Sequence, residues 1–320
     1  MVPALLLIQL TIAIGGPPTS PEYLPIRVAE SAGYFAQEGL TVDVRSTRAE
    51  SGAAEALAQG QVDLAATSFE AILRFGSRPN APLPRIVFGL TAAPPVALLV
   101  GGESGSVRSV SDLAGQKIGV PSPGGPEQTW LQALLARAKL DVSRIELASL
   151  GARGVVTALE SGEIRAGLVA EPVATRLLRA GRLTALADFR SPRAAQDALG
   201  DPTVNAAVFV RGDRRPKDTD LLAFARAMLA AERAIATEST AALAARMPQS
   251  VLALGHDFEP WLEAIRGIYL PGGLVEPDAV RETTDIVRLH LPLPRTLKLR
   301  PDALLQLEPL RRALKAKPPA

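Results

Sequence analysis

The sequence predicts an α/β protein of two similar lobes, each on a mainly parallel sheet, joined by two crossover segments. Three observations carry this. Short apolar runs alternate with helical-period segments from residue 9 to about residue 212, and strands joined by helices pair in parallel. The stretch Leu57-Ala-Gln-Gly-Gln-Val-Asp-Leu-Ala-Ala66 aligns without gaps on Leu159-Glu-Ser-Gly-Glu-Ile-Arg-Ala-Gly-Leu168, so one helix-glycine-strand unit occurs twice about a hundred residues apart. With 320 residues, the chain is also about twice as long as one hydrophobic core comfortably serves.

The first strand is read at residues 9–14, running into Gly15-Gly16-Pro17. The apolar residues 2–14 also have the length of a signal-peptide core, too short to span a bilayer and without a basic leading region. The strand is the reading adopted, with any export signal incomplete in this sequence. A helix is expected over residues 21–35, a strand over 39–44, a helix over 51–58 and a buried strand over 62–66. Gly60 stops the second helix, because glycine takes the left-handed conformation without steric cost. A helix over 69–75 and a strand over 85–90 complete the first succession. The second has strands over 96–100, 117–120 and 145–150, and a helix over 126–140 that carries Trp130, Leu131, Leu134, Leu135 and Ala138 on one side.

A strand over 205–210 precedes an almost wholly helical region, with helices at 221–236, 260–268 and 277–289, the last opened by a proline suited to a first turn. These helices are expected to pack on the first lobe. The division is then 9–92 for the first part of lobe 1, 93–208 for lobe 2, 209–300 for the return to lobe 1 and 301–320 for a tail. The chain crosses near residues 91–95 and 204–212. Prolines at 292, 294, 301, 309, 318 and 319 suggest that the tail is a surface strap.

Composition removes whole classes of function. Net charge is +2, from 35 basic and 33 acidic residues without a basic run, and aromatics are 4%; a nucleic-acid partner is not expected. Hydrophobic residues are 47% and charged ones 21%, the balance of a folded globular chain. With no cysteine and only His256 and His290, disulfides, thiolate metal sites, a cysteine nucleophile and a lipid-anchoring cysteine are excluded. No Gly-x-Ser-x-Gly, Walker A loop or His-Glu-x-x-His occurs. No metal, nucleotide or redox cofactor is expected.

In open α/β sheets ligands bind beyond the carboxyl ends of the strands. The two copies of the repeat lead into Thr67-Ser68-Phe69 and Val169-Ala170-Glu171-Pro172, which are therefore candidates for facing walls of one cleft.

Four stretches give the chain a recognisable pattern: Tyr23-Leu-Pro-Ile-Arg-Val-Ala29 with Gly33-Tyr-Phe35 and Glu38-Gly-Leu40; Ala56-Leu-Ala-Gln-Gly-Gln-Val-Asp63; Ser111-Asp-Leu-Ala-Gly-Gln-Lys-Ile-Gly-Val-Pro-Ser-Pro-Gly-Gly-Pro126; and residues 159–173. In this order the chain resembles the periplasmic substrate-binding proteins of nitrate, sulfonate, taurine and related ABC importers, which have the type II periplasmic-binding fold. The resemblance implies a receptor without enzymatic activity that closes on a small ligand, located in the periplasm or another extracytoplasmic space. It also implies a monomer whose partners are an ABC permease and its ATPase. Two alternatives stay open: an enzyme of the pyrimidine-precursor-synthase type on the same fold, and a ligand-sensing module. The enzyme relatives depend on histidine and a cysteine-rich motif, whereas this sequence has no cysteine and only two histidines.

The resemblance also gives a mechanism to the loop Pro121-Ser-Pro-Gly-Gly125. Ser122 and the N–H groups near Gly124, Gly125, Glu127 and Gln128 would surround the helix start at Pro126, where unpaired N–H groups and the helix dipole attract acceptors. Thr67 and Ser68 would be the counterpart on lobe 1. Tyr23 either stacks on a planar ligand or packs. Thr91 and Ala92 lie at the crossover, where hinge and pocket meet. Ser68 and Ser122 have a second reading as helix caps. Glu171 either receives a ligand donor or pairs with Arg27, Arg74 or Arg153. No lysine or arginine falls within these segments, so the expected ligand is a zwitterion, a monoanion with donors or a polar heterocycle, rather than sulfate or phosphonate.

Overall fold

The computed structural model describes residues 8–76, 82–101, 107–122, 124–252, 258–290 and 300–316. Its strands are β1 (Ile8–Ile14), β2 (Leu40–Ser46), β3 (Leu64–Ser68), β4 (Pro84–Thr91), β5 (Val96–Gly101), β6 (Lys117–Val120), β7 (Glu146–Ser149), β8 (Ala166–Ala170), β9 (Leu183–Asp188) and β10 (Ala206–Arg211). They form two five-stranded sheets, in the orders β2-β1-β3-β10-β4 and β7-β6-β8-β5-β9. The continuous apolar runs become strands buried on both faces, as in β3, where no residue is exposed. The edge strand β2 alternates instead.

The two sheets share one topology. β1 pairs in parallel with β2 and β3, and β6 in parallel with β7 and β8. β10 is antiparallel to β3 and β4, and β5 is antiparallel to β8 and β9. Four of the five strands in each sheet therefore run one way, and the reversed strand is the one that arrives from the other lobe. The repeat found in the sequence falls on β3 and β8, which occupy equivalent places. Gly60 and Gly162 have φ of 71° and 73°, the left-handed turn both copies need.

The helices are α1 (Leu24–Ser31), α2 (Tyr34–Gln37), α3 (Glu50–Ala58), α4 (Phe69–Gly76), α5 (Pro126–Arg137), α6 (Gly151–Glu160), α7 (Val173–Arg179), α8 (Pro192–Leu199), α9 (Asp218–Thr237), α10 (Thr240–Ala244), α11 (Gln249–Leu252), α12 (Phe258–Ile265), α13 (Pro277–His290) and α14 (Glu308–Lys315). The helix expected over residues 21–35 is broken. It comprises a 3-10 turn at Pro21–Tyr23, then α1, then α2 beyond Gly33, whose φ of 72° interrupts the helix.

The two crossovers are bonded to one another. Residues 92–95 lead from β4 to β5, and residues 200–205 lead from α8 to β10. The Asn205 N–H donates to the Thr91 carbonyl at 2.8 Å, and the Thr203 hydroxyl donates to the Ala92 carbonyl at 2.9 Å. Because β10 begins at Ala206 in the first sheet, the expected end of lobe 2 at residue 208 moves back ahead of that strand.

Two further expectations change. The helical return does not lie wholly on lobe 1: on α13, Val280 and Val287 join the first core while Ile286 joins the second. Glu282 of α13 also pairs with Arg137 of α5. The cause is apolar residues on two faces of one helix, which leads α13 to straddle the lobes. The expected strap at 301–320 is packed structure through residue 316. Leu304, Leu307, Leu310 and Ala313 are buried, α14 lies on α9 and Leu305 bridges Ile86 of β4. Proline content suggested an exposed tail, but Leu304 of the 3-10 turn Pro301–Leu304, Leu307 just before α14 and Leu310 within it are all buried. His256 and residues 1–7, which hold the first part of the segment 2–14 that also read as a signal-peptide core, lie outside the described residues.

Candidate functional site

Between the lobes is a cavity of about 550 Å³. Its walls are strand ends and the helix starts that follow them, as the strand-end rule requires. Lobe 1 supplies Gly15, Gly16, Glu22, Glu50, Ser68 and Glu70; the loop of lobe 2 supplies Ser122, Gly124, Gly125 and Glu127; Asn205 of the second crossover completes the wall. Gly15 is required by close approach, since a Cβ there would lie 2.8 Å from the Glu50 Cα. That contact seats the start of α3 against the end of β1.

The residues singled out from sequence divide into three groups. Ser68, Ser122, Gly124 and Gly125 line the cavity. Tyr23, Thr67, Thr91, Ala92 and Gln128 stand behind it. The Tyr23 hydroxyl donates to Glu50 Oε1 at 2.7 Å, and Thr67 Oγ1 donates to the Glu50 carbonyl at 2.8 Å. Gln128 Oε1 accepts from the Gly124 N–H at 2.9 Å, and Thr91 and Ala92 hold the crossovers together. Ser68 also caps α4, its Oγ accepting from the Ala71 N–H at 3.2 Å, so capping and cavity lining coincide there.

Glu171 is the third group. It does not line the cavity. Its side chain is 1% exposed, with Oε1 accepting from Arg190 Nη1 at 2.9 Å and from the Thr175 hydroxyl at 2.7 Å. Its partner is thus Arg190 rather than Arg27, Arg74 or Arg153. Arg190 in turn holds Asp188, and the cluster fixes the start of α7 to the end of β9.

Sequence reasoning passed over the most prominent feature of the cavity, its four carboxylates. Glu22, Glu50, Glu70 and Glu127 each lie in the first turn of a helix, where an acidic residue is ordinarily read as complementing the helix dipole. Applying the strand-end rule to acidic residues as well as hydroxyls would have found them. Glu70 is fully engaged. It pairs with Arg74 at 2.8 Å and accepts from the Thr129 hydroxyl of α5 at 2.9 Å, a buried bond between the lobes. Arg48 and Arg74 also line the cavity, correcting the expectation of walls without arginine.

Burial among like charges disfavours ionisation of the other three. Burial, reinforced by the Glu50 charge, pushes Glu22 up to about 8, against a smaller lowering by its own N–H. Burial also raises Glu50, although the hydroxyls of Ser68 and Tyr23 hold it down, and it raises Glu127. Tyr23 is pushed well above its ordinary value by burial and by Glu50.

The site can surround a molecule of modest size from two bodies linked by two strands of chain, with hydroxyls, glycine turns and carboxylates facing inward. Among the described residues no group of three or more His, Asp and Glu side chains is placed to hold a metal ion, and no helix is long and apolar enough to cross a membrane.

The same architecture recurs in solved structures. A protein of Bordetella bronchiseptica is 25% identical, with a TM-score of 0.72 over 95% of this chain and 96% of its own. The periplasmic aliphatic sulphonate-binding protein SsuA of Escherichia coli is 18% identical, with a TM-score of 0.65 over 88% and 86%. The periplasmic nitrate-binding protein NrtA of Synechocystis is 14% identical, with a TM-score of 0.64 over 96% and 88%. Among curated proteins none matches by sequence. Residues 20–201, more than half of the chain and including all four cavity carboxylates and the second-lobe loop, match the family described as NMT1/THI5 like. On that match and this fold, the chain belongs to the NMT1/THI5-like family.

Proposed function

We propose that this protein is the extracytoplasmic solute receptor of an ABC importer. It captures one small polar organic molecule between its lobes and delivers it to a membrane permease served by an ATPase. It catalyses no reaction. The observation that carries this reading is the cavity of about 550 Å³ lined from both lobes, beside two crossovers bonded to each other. That volume is typical of small-molecule sites, and paired crossovers suit a hinge. Of the expected ligands, a zwitterion or a polar heterocycle suits walls of hydroxyl, amide and carboxylate groups better than a monoanion does. The proteins of similar fold named for sulphonate and nitrate binding support the receptor class. The enzyme reading has less support, because the sequence has no cysteine with which to build the cysteine-rich motif of the synthases.

The reading requires closure on the ligand, which small-angle scattering measures. The radius of gyration falls when the solute that co-purifies with the protein is added to dialysed protein. An unchanged radius at saturation removes the hinge mechanism.

A further inference from the structure

We propose that the captured solute is a small organic cation, a protonated amine, amidine or nitrogen heterocycle, whose positive centre is held by Glu22, Glu50 and Glu127. This rests on the receptor reading and narrows it.

The first argument concerns what the helix starts already hold. An anion bound at a helix N-terminus needs free N–H groups, and here several of those groups are engaged by the protein itself. The Gly124 N–H donates to Gln128 Oε1, the Gln128 N–H to the Gly125 carbonyl and the Glu127 N–H to its own carboxylate. The Glu127 carboxylate lies over the cap, its Oε2 only 2.8 Å from where a Cβ on Gly125 would sit. At α4 the Ser68 hydroxyl takes the Ala71 N–H, and the Phe69 N–H donates to the Asn205 carbonyl at 2.6 Å. An anion would meet a carboxylate at each helix start.

The second argument is charge balance within the walls. Glu70 is neutralised by Arg74, and Arg48 is exposed to solvent at the rim. Glu22, Glu50 and Glu127 remain, two on lobe 1 and one on lobe 2. Glu50 and Glu127 raise the proton affinity of Glu22, and Glu127 raises that of Glu50, so bringing the lobes together is opposed by repulsion between like charges. A cation between the lobes reverses the sign of that interaction. It thereby stabilises the closed form more than the open one, which is what a ligand must do to drive a conformational change. The cavity far exceeds a bare ion in volume, and the described residues offer no metal cluster; the cation is therefore organic.

Cation binding favours ionised carboxylates and releases protons. The groups around them are Tyr23, Tyr269, Glu70, Arg74 and Arg48. Glu22, pushed up to about 8, gains its charge as pH rises toward that value, so affinity rises with pH between about 5.5 and 8.

The test uses a small-molecule extract of the source organism, separated into cation-exchange-retained, anion-exchange-retained and unretained fractions. Each is offered to the dialysed full chain in a thermal-shift assay at pH 5.5 and pH 8. The cation-exchange-retained fraction raises the melting temperature, more at pH 8 than at pH 5.5. Glu22→Gln and Glu127→Gln weaken binding of the recovered solute by about 10- to 100-fold, while each variant without solute melts at or above wild type. A rise produced instead by the anion-exchange-retained or unretained fraction overturns the cation and leaves the receptor reading standing. A rise from no fraction removes the receptor reading and this inference with it.

Discussion

At the scale of the residue, the half-buried cleft glutamates and the buried Glu171 show how differently two carboxylate sites behave. Glu171 has an arginine and a threonine on one oxygen. Replacing it by alanine removes charge-assisted bonds and leaves Arg190 with fewer partners, at a cost of about 1.5–3 kcal/mol. Urea denaturation measures this as a lower midpoint, with affinity for the bound solute unchanged because Glu171 lies outside the cavity. Glu22 has no such counter-charge. Its folded pKa of about 8 lies above the unfolded value of about 4.3, so between those values the folded state holds a proton that the unfolded state has released. By linkage, stability then falls as pH rises from about 4.5 to 8 and levels off above. Glu22→Gln removes this dependence. Its melting temperature at pH 8 exceeds that of wild type, and at pH 4.5 the two converge, as calorimetric scans across that range will register. A variant that melts lower at pH 8 would contradict the assignment of Glu22 as an uncompensated carboxylate.

At the scale of the element, legibility depended on whether the signal was local. Strands β3 and β8, their glycine stops and the start of α5 were readable because each is written in five to ten consecutive residues. The convergence of residues 22, 50, 70 and 127 was not, since no window contains two of them and each has a local explanation as a helix-dipole partner. The hydroxyls were found and the carboxylates beside them were missed for that reason. The C-terminal segment illustrates the reverse difficulty. Its prolines are conspicuous, yet Leu310 of α14 is 1% exposed in the contact with α9. Leu310→Ala accordingly costs about 2–5 kcal/mol, the usual range for emptying a buried leucine site, whereas an exposed strap would lose almost nothing. Denaturant titration of that variant distinguishes the two. The helix pair α4 and α5 supplies the direct latch between lobes, the Thr129 hydroxyl on Glu70. Thr129→Val loses that bond and shifts the solute-free protein toward the open form, read as a larger radius of gyration than wild type.

At the scale of the whole molecule, two lobes of one topology face each other across a cavity, with bonded crossovers to one side and three carboxylates left without counter-charge inside. Binding energy of the solute is then divided between contact and closure, and the bound form gains about 2.7 kcal/mol of stability at a hundredfold excess over the dissociation constant. The most direct measurement is native mass spectrometry of the wild-type chain and of Ser122→Trp after incubation with the source organism's small-molecule extract. Ser122 lines the cavity from an exposed position on the lobe 2 loop, so an indole there fills the cleft without disturbing either core. The account predicts one small-molecule adduct per chain in wild type and none in Ser122→Trp. The same adduct on both proteins, or none on wild type, would contradict it.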